Sequence, residues 1–223
     1  MRNTLFYFFI GLSVLNLWAA FSSNFVLNCA TKPFLMVLLS LIFWVENRPV
    51  RFSAGWWLLV GLFFSISGDT WLLWDDDKAF MLGLASFFVT HTCYLIAFLR
   101  RYVPTKTTLN RKIAFSIPIF IFFVGLNYGL RNDLNDLQIP VLAYSAVISA
   151  MAIAAIWRRI DGGAAVNILL VGVFLFMGSD TMIALTKFKP TLSLPHPSLL
   201  IMFTYILGQY CIAVGAPRFL KAM

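Results

Sequence analysis

Eight apolar runs, each close to the length that crosses a bilayer, are strung together by short polar connectors along this chain. A hydrocarbon core of about 30 Å asks for about 20 apolar residues in a helix. Within such a core only segments that satisfy their own backbone hydrogen bonds are viable. The runs are Thr4–Phe21, Phe25–Val45, Gly55–Trp74, Ala79–Leu99, Ile113–Leu130, Ile139–Trp157, Val166–Lys187 and Ser198–Ala216. Between them stand VENRPVR, DDDK, RRYVPTKTTLNRK, RNDLND, WRRIDGG and KFKPTLSLPHP, each with the Pro, Gly, Asn or charge expected at a helix boundary. The expected fold is therefore all-α. It is a polytopic membrane protein of about eight transmembrane helices, with residues 1–223 forming a single integral membrane domain.

Composition enters as a check on that reading. Of 223 residues, 61% are apolar and 12% charged, where a soluble domain carries about 25% charge. The mean hydropathy of +0.85 agrees. Cys29, Cys93 and Cys211 lie in apolar runs without a CxxC pair, which points to buried thiols, not to a disulfide framework. The two histidines form no HxH or HxxxH spacing, so no metal or organic cofactor is expected. The first run, after Arg2 and before LWAAFSS, imitates a secretory leader. It reads as a span, because its loss would leave an odd number of helices.

The net charge of +8 is chiefly a topology signal. Counted by alternate connectors, one side holds Arg2, Arg48, Arg51, Arg100, Arg101, Lys106, Arg111, Lys112, Arg158, Arg159, Arg218 and Lys221. The other side holds Lys32, Lys78, Arg131, Lys187 and Lys189, giving twelve against five. Basic connectors stay in the cytoplasm, so both termini are expected there. A nucleic-acid partner would need a basic folded surface, and this pattern provides none. The partners expected are the lipid bilayer and a molecule dissolved in it.

A weak internal likeness relates the two halves, 1–112 and 113–223. FSISGDTWLL surrounds Asp69 in the third run and FLFMGSDTMIA surrounds Asp180 in the seventh. His91-Thr-Cys93 and Gln209-Tyr-Cys211 follow in the next run of each half. Two four-helix repeats of the same orientation explain this; chance likeness between apolar helices also explains it.

The few polar groups inside the runs carry whatever chemistry the chain performs. Asp69 and Asp180 stand in apolar surroundings, about one and a half to two turns from the ends of their runs on one side of the membrane. Lys32 lies toward the same side. A charge in hydrocarbon costs several kcal/mol unless paired or facing water, so a functional site is the default reading. Helical spacing groups Ser65 with Asp69, Phe176 with Asp180, His91 with Tyr94 and Tyr205 with Gln209. Plainer readings stand beside this one. The aspartates can be interhelical glue, Lys32 can snorkel to the interface, and His91, Tyr94, Tyr144 and Tyr205 can be packed core residues. Asp75, Asp76 and Asp77 read as a solvated loop. Gly68, Gly83, Gly172 and Gly178 read as sites of close helix approach. Pro118 reads as the interior candidate for a kink.

Taken together these segments resemble the YhhN family, the lysoplasmalogenases, small eight-helix membrane hydrolases of bacteria and animals. The resemblance rests on TKPFLM (31–36), FSISGDTWLL (64–73), FMLGLASFFVTHTCYLIAF (80–98), GVFLFMGSDTMIALTKF (172–188) and YILGQYCIAVGA (205–216). The GD and SD aspartates, G-x-x-x-F-x-x-x-H-x-x-Y and the late Y-x-x-x-Q are its recognisable parts. The first and fifth runs carry no signature.

The resemblance implies hydrolysis of the vinyl-ether bond of a lysophospholipid, the lysoplasmalogen, to a fatty aldehyde and glycerophosphoethanolamine or glycerophosphocholine. Such a bond resists base and yields once its β-carbon is protonated, giving an oxocarbenium ion that water captures. Two carboxyls in an apolar site suit this, because burial and mutual repulsion separate their proton affinities. Glycosidases meet a related cation with the same pair. On this reading Asp69 and Asp180 divide the acid and base roles in either order. Lys32 holds the phosphate or tunes the acid, and His91, Tyr94, Tyr144, Tyr205 and Gln209 orient water and headgroup. Compact connectors favour a bacterial inner membrane. A small proton-coupled transporter uses similar intramembrane charges, and a structural subunit would need neither aspartate.

Overall fold

Capping chemistry sets the helix boundaries at the connectors. The Asn24 side chain accepts a hydrogen bond from the Leu27 amide and opens the second helix. The Asp76 carboxylate does the same for the Ala79 amide and opens the fourth. Gly163, at φ +64°, closes the sixth in a conformation that only glycine adopts without strain. The computed structural model describes residues 2–47, 53–100, 102 and 108–220. Its eight long helices are α1 (Arg2–Phe21), α2 (Phe25–Glu46), α3 (Ser53–Trp71), α4 (Asp77–Leu99), α5 (Leu109–Leu130), α6 (Gln138–Gly162), α7 (Asn167–Phe188) and α8 (Pro197–Leu220). Single 3-10 turns at Asn135–Leu137 and Gly163–Val166 precede α6 and α7, and no strand occurs among the described residues.

This is an integral multi-pass membrane protein. Seven of the helices are long and apolar enough to cross a bilayer by length and composition. The remaining one, α3, carries Ser65, Ser67 and Asp69. It is sheltered by α2, α4 and α8, which removes the need for an apolar surface all round. The large apolar side chains left exposed, such as Phe8, Phe63, Phe120 and Val26, form the face that lipid would cover.

Several helix ends differ from the runs read off the hydropathy: α6 continues past Trp157 to Gly162 and α8 past Ala216 to Leu220, and the differences at α3 and α5 bear on the site. The third stops at Trp71, not Trp74, because Leu72–Trp74 turn the chain toward the Asp76 cap. Asp69 therefore lies in the last turn of its helix, closer to the end than expected, whereas Asp180 lies about two turns from the end of α7. The fifth begins at Leu109, so Arg111 and Lys112 are helical. Lys112 is buried there on Asp161 at 2.6 Å, not solvated in a connector. A second interior proline, Pro33, lies in α2 beside Lys32; without an N–H it leaves the Cys29 carbonyl without its helical donor.

α1 and α8 run antiparallel. The Phe6 and Phe9 rings meet Tyr210 at one end, and Phe21 meets His196 at the other. The chain thus enters and leaves at one end of the bundle, the terminal end; the turns α1–α2, α3–α4 and α7–α8 lie at the far end. Within each half the closest packing is between the last two helices, α3 with α4 and α7 with α8. Glycines permit it: a Cβ on Gly172 would come within 2.8 Å of the Gly208 carbonyl oxygen. Gly68 accommodates the Phe87 ring and Gly83 the Leu72 side chain, whereas Gly178 faces no neighbour and has no such role. α5 stands apart and packs chiefly on α6.

Candidate active site

The eight side chains singled out from the sequence come from six helices, and the bundle gathers them into one buried region toward the far end. None comes from α1 or α5, the helices without a signature.

Asp180 on α7 is bound from two sides. His91 Nε2 of α4 lies 2.7 Å from its Oδ2, and the Tyr144 hydroxyl of α6 donates to the same oxygen at 2.6 Å. The His91 and Tyr144 groups are themselves 3.0 Å apart. Both bonds therefore fall on Oδ2. Asp69 on α3 has different company: the Tyr205 hydroxyl of α8 donates to its Oδ2 at 2.8 Å, and the Lys32 ammonium lies 3.9 Å from its Oδ1. Lys32 is turned inward and its side chain is only 13% exposed, so it does not snorkel to the interface.

An aromatic cluster links the partners of the two carboxylates. The Phe176 ring lies 4.6 Å from His91 and 5.4 Å from Tyr205, and so touches the partner of each aspartate. Phe87 backs it at 6.1 Å. Deeper toward the terminal end, the Tyr94 hydroxyl donates to Gln209 Oε1 at 2.7 Å, and Gln209 Nε2 donates to Ser65 at 2.9 Å. Ser65 and Thr90 both donate to the Gly61 carbonyl at 3.1 Å. This second cluster is a closed network that fixes α3, α4 and α8 relative to one another.

Two cavities meet the site. One is a narrow apolar cleft of about 50 Å³ bounded by α4, α5, α6 and α7, with Tyr144 and Asp180 as its main polar lining. The other is a vestibule of about 400 Å³ at the far end, lined by Asn28, Lys32, Trp74, Asp75, Asp76 and Lys187 among others. Leu72, Phe80 and Ile183 belong to both, so the cleft and the vestibule share a wall. Asp180 thus faces the apolar space and Lys32 faces the polar one.

The sequence profile of the YhhN family matches residues 27–216. The chain belongs to the YhhN family. Among curated YhhN-like relatives, it is 32% identical over 169 residues to the lysoplasmalogenase TMEM86A of Bos taurus, covering 71% of this chain and 64% of that one. It is 30% identical over 212 residues to the lysoplasmalogenase TMEM86B of Homo sapiens, covering 88% and 86%. A lysoplasmalogenase of Mycobacterium bovis is 29% identical over 169 residues, covering 71% and 59%. The chain therefore spans a little under two thirds of the length of the bovine and mycobacterial relatives. No solved structure matches it.

The YhhN chain also holds polar residues that the sequence reading passed over. Asn16 of α1 is fully buried and donates to Asn28 at 3.3 Å and to Thr31 at 2.9 Å. Asn28 lies four residues before Lys32 on the same face of α2, a spacing that was available as a signal. The three aspartates 75–77 are more than a solvated loop. Asp76 caps α4, and Asp77 pairs with Lys187 at 2.9 Å.

Proposed function

We propose that this YhhN protein is a lysoplasmalogenase that hydrolyses the vinyl-ether bond of a lysophospholipid. The observation that carries the reading is the placement of Asp180. Its carboxyl, bound by Tyr144 and His91, lies on the wall of an apolar cleft that adjoins a polar vestibule. A single-chain lipid with an alkenyl tail in the cleft and its headgroup in the vestibule brings the bond between them past Asp180. The names carried by the bovine, human and mycobacterial relatives support the same activity.

In this mechanism the Asp180 carboxyl gives its proton to the β-carbon of the vinyl ether. Oδ2 is occupied by Tyr144 and His91, which leaves Oδ1 as the oxygen for the transfer. The α-carbon becomes an oxocarbenium centre, balanced by the negative charge of Asp69 held between Lys32 and Tyr205. Water adds to that carbon and its released proton passes to a carboxylate. The hemiacetal then collapses to a fatty aldehyde and the glycerophospho alcohol, and the atoms of one water are accounted for. Burial strengthens each charge interaction, because little solvent screens it.

The distribution of Lys and Arg supports cytoplasmic termini, with the vestibule opening on the opposite face, and the compact connectors support a bacterial inner membrane. The deciding experiment measures aldehyde release from an alkenyl lysophospholipid by the purified protein, beside Asp69→Asn and Asp180→Asn. Turnover that each substitution lowers by about a hundred- to ten-thousandfold is expected, the scale on which acid-base catalytic groups act. Folded protein with no turnover overturns the hydrolase. Proton-driven solute uptake by the same preparation would put a carrier in its place.

A further inference from the structure

The vestibule has an internal order of charge that the hydrolase reading does not require. At its floor lies Lys32, whose contact with Asp69, at 3.9 Å, is beyond hydrogen-bond length. One turn earlier on the same helix face stands Asn28. Asn16 donates to the Asn28 carbonyl oxygen, which fixes the amide and leaves its NH2 as the available group. The floor is therefore made of donors.

The mouth is different. Of the three successive aspartates, Asp76 is committed to the α4 cap and Asp77 to Lys187. Asp75 lines the vestibule, is exposed, and has no ion-pair or hydrogen-bond partner among the described residues. Beside it the Trp74 indole also lines the cavity and presents 57% of its surface. A free carboxylate next to an aromatic face is a site for an ammonium group, whether primary or quaternary. Lys187 is held at hydrogen-bond distance by Asp77, 2.9 Å, whereas Lys32 stands 3.9 Å from Asp69 and keeps its donors for another partner.

We propose that the vestibule is a zwitterion subsite, in which Lys32 and Asn28 receive a phosphate and Asp75 with Trp74 receives an ammonium. The orientation rests on the hydrolase reading: a lipid whose ether lies against Asp180 presents its phosphate next and its amine last. The sequence of charges from floor to mouth is the same. Headgroups bearing an amine, ethanolamine or choline, are thereby selected over a bare phosphate monoester, whose second negative charge Asp75 repels.

The test uses alkyl-ether lysophospholipids, which lack the vinyl double bond and so bind without being consumed. Binding of the ethanolamine lipid and of the corresponding alkylglycerol phosphate to the full chain in detergent is followed by tryptophan fluorescence. Asp75→Asn is expected to weaken the ethanolamine lipid about fivefold, the scale of an exposed charge pair, and to leave the phosphate lipid equal or tighter. Asn28→Ala is expected to weaken both alike. Equal effects of Asp75→Asn on both lipids, or none on either, overturn the subsite. Should the expected pattern occur with no aldehyde released from the alkenyl lipid, the subsite stands and the hydrolase falls.

Discussion

Tyr144 shows how much a single hydroxyl is asked to do. It donates to Asp180 Oδ2, sits 3.0 Å from His91 Nε2, and lines the apolar cleft. Removing it as Tyr144→Phe deletes a hydrogen bond to the carboxylate that develops as Asp180 gives up its proton, about 1.5–3 kcal/mol, while keeping the ring that lines the cleft. The expected result is a fall in kcat of about ten- to a hundredfold with little change in thermal unfolding. A variant within twofold of wild type would show that Tyr144 is only a packing residue. The residues of this region were legible in the sequence for a physical reason: a polar group in a run of Leu, Phe and Ile is anomalous, and each such anomaly drew notice. Their pairings were not legible. That Tyr205 belongs to Asp69, and Tyr94 to Gln209, depends on how α8 lies against α3 and α4, which no spacing within one helix encodes. Asn16 and Asn28 escaped because asparagine near a connector reads as a boundary residue, and the Lys32 choice between interface and interior is settled only by the presence of Asp69 opposite it.

At the scale of helices, glycine contacts govern how closely the catalytic elements approach. A Cβ on Gly208 would lie 2.8 Å from the Phe176 amide nitrogen and 3.0 Å from the Gly172 oxygen, both backbone atoms that cannot swing away. Gly208→Leu is therefore expected to force α7 and α8 apart, lowering stability by about 1–3 kcal/mol or more and displacing Phe176 from the site. Gly125→Ala, with nothing within 4 Å, serves as the control and should be neutral or slightly stabilising. Thermal unfolding in detergent reads both, and an intact Gly208→Leu protein would refute the argument. Thr90 donates to the Gly61 carbonyl much as Gly208 abuts the Gly172 carbonyl. On that likeness, and on the two Asp-Thr segments, we propose that the halves 1–112 and 113–223 are repeats. Helix number and order were readable from hydropathy because span length is set by the bilayer. Several ends were not, those of α3 and α5 among them. At one, apolar residues continue through a turn; at the other, a basic turn is helical because Asp161 and Tyr102 bury its lysine.

For the molecule as a whole, the orientation proposed from charge has a direct check in Leu192. It lies in the α7–α8 connection at the far end and is 52% exposed. With cytoplasmic termini, Leu192→Cys reacts with a membrane-impermeant maleimide on intact cells; labelling that requires lysis would reverse the topology. One further consequence comes from the loose position of α5, which closes the cleft from one side yet is anchored mainly to α6, through Asn127 on Ser145 and Lys112 on Asp161. On the proposed activity, a cleft bounded by so lightly held a helix would be loaded sideways, from the leaflet. The concentration that matters is then a mole fraction in the film of lipid, not a molarity. Diluting the substrate with inert phospholipid at constant bulk amount should slow the reaction in proportion, whereas adding more vesicles of the same composition should not. The products would also part company: the greasy aldehyde stays in the leaflet it came from, and the water-soluble glycerol fragment leaves by the vestibule.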